Sequence, residues 1–306
     1  MNYTLHQLHV FVKIVQTKSI TKASEELYMT QPAVSIQLKN FQDQFEIGLT
    51  EVIGRQIRIT DFGMEIYTIA ERILNEVYAI NYKTEAYKGL LSGRLLISSV
   101  STGKYVMPYF LTDFLKENSG VDLVMDVTNK AKVVGCLEKG EIDFALVSVL
   151  PEGLNIQEEI LIDNELQLVS NMDYKIHKTM LSKDDLEQES LIYREEGSAT
   201  RKVMEDFFNK RNIKIRKKIE LTSNEAVKQA VLAGLGISLM PLIGIRTELA
   251  SKRLQLIPCK GLPIKTKWRL IWLKNRKLSP AAQQYIDFVK RKKEDIAAKN
   301  FVLKKK

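Results

Sequence analysis

Residues 19–45, SITKASEELYMTQPAVSIQLKNFQDQF, hold two short apolar stripes separated by a turn. Ser19 stands where a helix N-cap belongs, and Ile20, Ala23 and Leu27 recur at spacings of three and four, so a first helix buries one face. Tyr28, Met29 and Thr30 make the turn. Thr30 caps a second helix, over 31–45, whose early Pro32 loses no needed hydrogen bond there. In that helix Ala33, Val34, Leu38 and Phe41 supply packing, which leaves Gln31, Ser35, Gln37 and Lys39 for contacts outside the protein. A helix entering the major groove of DNA needs that division of labour. The same spacing also serves a helical hairpin in any packed core, so the segment alone leaves both readings open.

The flanks extend the pattern. An opening helix over 5–17 carries Leu8, Phe11, Val12 and Val15 on one face, ready to pack against the hairpin. After Ile47 the run LTEVIGRQIRIT alternates like strand, with Ile57 and Ile59 on one side of Arg58. It reads as a two-stranded wing that brings Arg55 and Arg58 to a phosphate backbone. From 61 to 88 there is no proline, and Ile66, Ala70, Ile73, Val77, Ile80, Thr84 and Tyr87 hold a four-three spacing for three heptads. At about 1.5 Å per residue this helix runs roughly 40 Å, more than a connector needs. We read it as a dimerisation helix; the competing reading packs it along its own domain.

The chain has 306 residues, ample for two or more domains. No apolar run approaches the roughly 20 residues that cross a bilayer, and the first ten lack the pattern of a secretion signal, so a cytoplasmic protein without membrane contact is expected. Cys136 and Cys259 lie far apart, and His6, His9 and His177 are scattered, which argues against a disulfide framework and a metal site. Redox sensing through Cys136 would lack a nearby resolving cysteine. No Ser/His/Asp or Cys/His constellation can be assembled, GLGIS is too short for a dinucleotide fingerprint, and neither an enzyme nor a cofactor is expected. The net charge of +9 is unevenly spread: 246–306 hold 18 Lys/Arg against 4 Asp/Glu, a balance of +14, leaving the first 245 residues at −5. Basicity is therefore no evidence for a DNA footprint in the hairpin region, and the tail reads as a solvated helix end.

Beyond Gly89 and Gly93, strand candidates fall at 95–100, 121–127, 144–149, 166–170, 191–193, 215–221, 237–240 and 268–273, with helical patterns between many of them. That is an α/β arrangement, whose sheets bind ligands at the carboxyl ends of their strands.

With hairpin, wing, long helix and α/β portion in this order, the chain resembles the LysR-type transcriptional regulators over essentially its full length. The residues that carry the resemblance are Phe11, Ser19, Thr21, Ala23, Leu27, Gln31, Pro32, Ala33, Val34, Ser35, Leu38, Ile59, Thr60 and Gly63. Three departures stand out. Ser24 replaces a second alanine, Ile36 stands where an arginine commonly follows the recognition-helix serine, and Leu49, Thr50, Glu51 and Val52 replace the usual L-F-x-R of the wing. Lost basic positions remove phosphate or base contacts, a good bidentate base contact being worth about 1–3 kcal/mol.

The resemblance implies a winged helix-turn-helix DNA-binding domain over 1–60, a linker and dimerisation helix over 61–90, and an effector-binding domain over 91–306 of the periplasmic-binding-protein type. One subdomain would take 91–162 and 267–300, the other 163–266. The DNA contacts would then be Thr30, Gln31, Pro32, Ser35, Gln37, Lys39, Arg55 and Arg58. In the effector cleft the resemblance places Ser101 and Thr102, after a strand and opening a helix that favours an anion, with Lys104 adding charge nearby. Thr128, Asn129 and Ser148 end neighbouring strands, and Gly197, Ser198 and Thr200 face them from REEGSATR. For each hydroxyl, simple helix capping is the competing role. The stretch from STGKYVMP through NKAKVVGCLEKGEIDFALVSVLPEGLNI is similar to the branch that controls carbon-fixation operons and answers phosphorylated or nucleotide metabolites. The expected partners are double-stranded DNA, a small effector and further copies of the chain as homodimer or homotetramer, with RNA polymerase as another candidate. The rival is a metabolite-binding or protein-interaction module whose DNA head has decayed.

Overall fold

The computed structural model describes residues 2–54, 56–87, 91–175 and 180–301, without the side chains of 56, 79 and 81–87. The expectations for Arg55, His177, Lys88, the side chains of Thr84 and Tyr87, and the final Lys304 to Lys306 lie outside the described residues. The chain divides into two compact units, 1–93 and 94–306.

The first unit begins with α1 (Leu5–Thr17), entered through a capping box: Thr4 Oγ1 accepts from the Gln7 amide while the Gln7 side chain accepts from the Thr4 amide. Ser19 caps α2 (Ile20–Glu26), and Thr30 caps α3 (Gln31–Gln42) with Pro32 in its first turn. Helix α3 ends before the expected Phe45, whose ring leaves the helix to pack on Tyr3, Phe41 and Phe62. The wing is β1 (Thr50–Ile53) against β2 (Gln56–Ile59), antiparallel, with Thr50 opposite Ile59. Helix α4 (Asp61–Tyr87) follows. At its entrance Thr60 Oγ1 accepts from the Gly63 amide and donates to the Gly48 carbonyl. A Cβ on Gly63 would stand 2.1 Å from the Leu49 carbonyl oxygen, so only glycine lets the wing and α4 meet this closely.

One core serves all of these elements: Val10, Phe11, Ile14, Ala23, Val34, Phe41 and Leu49 are fully or almost fully buried. Its reach corrects the dimerisation seam. Ala70 is 1% exposed and, with Leu74, belongs to this core; Ile66 packs against it and Val77 is half-buried. Ile73 and Ile80 face outward, joined by Ile69, which the four-three reading left out. A heptad period on a helix that already covers a domain serves two faces, and spacing alone does not separate them.

The second unit runs β3 (Ser92–Val100), a 3-10 turn (Ser101–Tyr105), α5 (Met107–Glu117), β4 (Gly120–Thr128), α6 (Lys130–Glu138), β5 (Phe144–Val147) and β6 (Ile156–Asn171). Then come α7 (Lys183–Gln188), β7 (Ser190–Arg194), α8 (Ala199–Asn209), β8 (Lys217–Leu221), α9 (Asn224–Leu232), β9 (Ser238–Pro241), α10 (Arg246–Ala250), β10 (Leu254–Leu256), β11 (Ile264–Leu273) and α11 (Pro280–Asn300). A seven-stranded sheet has the order β10-β6-β11-β5-β3-β4, with β9 also on β6; β7 and β8 form a separate parallel pair. The long antiparallel ladder of β6 and β11 joins the strands around β3, β4 and β5 to the group holding β7, β8, β9 and β10.

Strand β6 is far longer than the expected 166–170. Its first half, with Glu158 and Glu159, reads as loop by polarity, yet it is strand because β11 pairs with it and these acids find Arg269 and Lys293 at 3.0 and 2.6 Å. The expected helix at Ser101 is a 3-10 turn, and α5 begins only at Met107. Gly103 is pressed so closely onto Ser99 and Leu146 that a Cβ there would collide with both, and Pro108 starts the α-helix proper.

Candidate functional site

In the first unit α3 presents its outer face to solvent. Gln31, Pro32 and Lys39 are exposed, Ser35 and Gln37 half-buried, and Thr30 is occupied as the helix cap. Arg58 on the wing is exposed and lies 3.8 Å from Glu51, a loose surface pair. Ile36, the departure at the expected arginine, is 56% exposed on the same helix.

In the second unit the parallel pairings decide what meets. Strands β3 and β5 are parallel, as are β7 and β8, so each pair delivers its carboxyl ends to one edge. Strand β3 ends at Val100 and hands Ser101 to that edge; β7 ends at Arg194, which lies opposite Leu221, the last residue of β8. Asn224 opens α9 three residues later. Arg194 Nη1 and Asn224 Nδ2 both donate to Ser101 Oγ at 2.8 Å, tying the two strand groups together. A serine hydroxyl accepts two bonds and donates one. With both acceptor positions filled, the Ser101 hydroxyl has its one proton left to donate.

Arg194 is only 4% exposed, and Glu195 holds it bidentately through Nε and Nη2 at 2.7 and 2.8 Å. Arg201 braces the end of β7 by donating to the Arg194 carbonyl at 3.2 Å while paired with Glu205 and Glu220. Neither Arg194 nor Asn224 was singled out from sequence. The available signal was a charge closing the apolar run of β7, which a buried strand tolerates only for a partner.

The other anticipated residues divide by role. Thr102 is buried beside Ser101. Asn129 caps α6 by accepting from the Lys132 amide at 3.0 Å, and Ser198 caps α8 by accepting from the Arg201 amide at 3.5 Å, so for these two the capping role is the observed one. Gly197 adopts φ +78, and its carbonyl accepts from the Ala131 amide at 3.3 Å; a Cβ would sit 3.0 Å from that of Ala131. The two strand groups therefore touch here as well as at Ser101. Thr128, Ser148 and Thr200 are half-buried, at or just past the ends of β4 and β5 and in the first turn of α8. Lys104 is exposed, its Nζ 5.1 Å above the Tyr105 ring.

Sequence reading passed over a further cation, at the start of α6. Lys130 follows the Asn129 cap and donates to the Leu150 carbonyl at 2.9 Å. Burial and then the like charge of Lys202, on α8, push its ammonium below the usual lysine range.

The cysteines are poor redox centres. Burial first, then Glu141, push the Cys136 thiol up to about 11, and burial raises Cys259 too, so both are thiols at neutral pH. Among the described residues no cluster of His, Cys, Asp and Glu could hold a metal ion, and no helix is long and apolar enough to cross a membrane. A groove of about 900 Å³ between α10 and α11 is lined largely by aliphatic side chains such as Leu242, Leu249 and Ala297. Its cations are already engaged, Arg246 by the carbonyls of Asn300 and Phe301 and Lys293 by Glu159. The convergent donors lie at Ser101.

Comparison with known proteins agrees with both units. Residues 5–64 match the family described as bacterial regulatory helix-turn-helix protein, lysR family, and residues 88–294 match the LysR substrate binding domain. The RuBisCO operon transcriptional regulator of Allochromatium vinosum is 36% identical over 290 residues, 94% of this chain and 96% of that protein. The regulatory domain of CcmR from Synechocystis PCC6803, solved in complex with 2-PG, is 29% identical, covers 69% of this chain and 99% of that one, and superposes with a TM-score of 0.62. Full-length CbnR complexed with its target DNA is 19% identical, with coverage of 95% and 100% and a TM-score of 0.71, which speaks for the fold. These relatives are regulators rather than enzymes, and the match across 5–64 disfavours a decayed head.

Proposed function

Because the chain belongs to the LysR family of transcriptional regulators, we propose that a small phosphorylated anion seats at the junction of Ser101, Arg194 and Asn224 and there controls the protein's binding to DNA. The observation that carries this reading is the Ser101 hydroxyl, held by two donors from the other strand group and left with a proton to give. Thr102 stands next to it and is buried. CcmR was solved with 2-PG, which makes a phosphorylated carboxylate the first ligand to try. We take 91–162 with 267–300 as one subdomain and 163–266 as the other, hinged where β6 and β11 run together.

An anion at Ser101 competes with, or extends, the bonds that hold the two groups, so it favours one relative geometry over another. Such a population shift is as large as the ligand's differential affinity for the two states. At the other end of the chain Gln31, Pro32, Ser35, Gln37 and Lys39 face the major groove, and Thr30, Arg55 and Arg58 approach phosphates. Ile69, Ile73 and Ile80 form the stripe of α4 open to a second copy, as homodimer or within a tetramer. Cytoplasmic location and contact with RNA polymerase complete the reading. Calorimetric titration of 2-phosphoglycolate into the full chain tests the site. Saturable binding that Ser101→Ala weakens at least tenfold supports it; binding unchanged by that substitution places the ligand elsewhere.

A further inference from the structure

The recognition helix carries a large apolar side chain where a helix meeting only water would place a polar one. Val34, Leu38 and Phe41 are buried and fix the inward side of α3. At 100° per residue, Ile36 then falls almost opposite the core, at the centre of the outer face, with Pro32 one turn before it and Lys39 and Asn40 one turn after. It is 56% exposed, and those three neighbours are exposed as well. An arginine there would read guanine through O6 and N7; a β-branched hydrocarbon makes no hydrogen bond and recognises the one apolar group on the major-groove floor, the C5-methyl of thymine. Ile36 is also stiff at χ1, so it reaches the groove with little conformational freedom left to lose.

We propose that Ile36 is a specificity-determining residue that packs on a thymine methyl in each half-site, and that this substitutes for the base contact an arginine would make. The inference rests on α3 being the groove-entering helix and adds to it the identity of one base. It turns the departure at this position from a loss of affinity into a change of preferred sequence.

The test uses the operator recovered by binding the purified full chain to fragmented DNA from its own source. Each thymine is replaced singly by deoxyuridine, which removes the methyl and leaves every hydrogen-bonding group in place, and Kd is measured by fluorescence anisotropy. We expect one thymine per half-site at which the replacement weakens wild-type binding three- to tenfold, and Ile36→Ala to bind both versions of that position alike. A flat deoxyuridine scan overturns the proposal, as does an Ile36→Ala protein that keeps the full penalty. Because Ile36 is outside the core, the variant should fold, which its thermal midpoint verifies. Recovery of no salt-sensitive site at all would instead remove the DNA-binding reading beneath it.

Discussion

The two units use their functional residues in opposite ways. On α3 the side chains proposed to meet DNA are exposed or half-buried and project from a helix whose opposite face is fixed by Val34, Leu38 and Phe41. At the proposed effector junction Ser101, Arg194, Asn224 and Glu195 are one another's partners, and Arg194 is almost wholly buried. In the proposed reading the double helix supplies the partners of the head's outward groups, Thr30 apart, which caps α3. The junction pairs its groups with one another because an unpaired buried guanidinium is costly. Substitutions in the head should therefore alter binding and spare the fold, whereas substitutions at the junction should alter both.

The sharpest way to break that contrast is Arg194→Ala. It strips Ser101 of one donor and leaves the Glu195 carboxylate without its bidentate partner. Removing one member of a buried pair costs about 3–5 kcal/mol. Differential scanning calorimetry should show the midpoint of the effector unit falling by roughly 6–20 °C at about 2–4 °C per kcal/mol, with the response to anion lost; an unchanged midpoint would mean that the pair is idle. Next in size, Gln31→Ala combined with Ser35→Ala should weaken operator binding about 10- to 100-fold, at about 1–3 kcal/mol for a good base contact, with no change in midpoint. A drop in midpoint there would show that the head also depends on these residues for its fold.

Gly197→Ala comes third. A φ of +78 and a 3.0 Å approach to the Ala131 side chain should cost about 1–2 kcal/mol, read as a modest loss of thermal stability together with weaker anion binding. Full retention of both would detach the loop at Gly197 from the junction. The smallest effect is expected at Cys136. With its thiol held up to about 11, hydrogen peroxide at neutral pH should leave operator binding unchanged in wild type and in Cys136→Ser alike, and alkylation should quicken only as the pH climbs toward that value. Peroxide-sensitive binding would restore a redox reading.

The same contrast explains what could be read from sequence. Helices α1, α2 and α3 and the wing follow from caps, turns and periodicities confined to a few neighbouring residues, and α1 falls at the expected 5–17. Ser101 and Thr102 are legible through the family resemblance, which places them in the cleft after a strand. Arg194 and Asn224 were not, since they lie 93 and 123 residues from Ser101 and meet it only because β7 and β8 run parallel and end on one edge. The resemblance implies ligand contact for Asn129 and Ser198 at strand ends, and in the structure their side chains cap helices. The seam of α4 mixed two faces because Ala70 belongs to the core of its own head while Ile73 and Ile80 point away from it.

The central claim is that an anion at the Ser101 junction changes how the head holds DNA. Its most direct test is operator affinity, by fluorescence anisotropy at fixed ionic strength, while 2-phosphoglycolate and a panel of other phosphorylated and carboxylate anions are titrated into wild type and Ser101→Ala. We predict that at least one anion shifts the wild-type Kd by about fivefold or more, in the range usual for coupled sites, and that Ser101→Ala keeps the basal affinity while losing the shift. An operator affinity indifferent to every anion, or a shift that survives in Ser101→Ala, would contradict it.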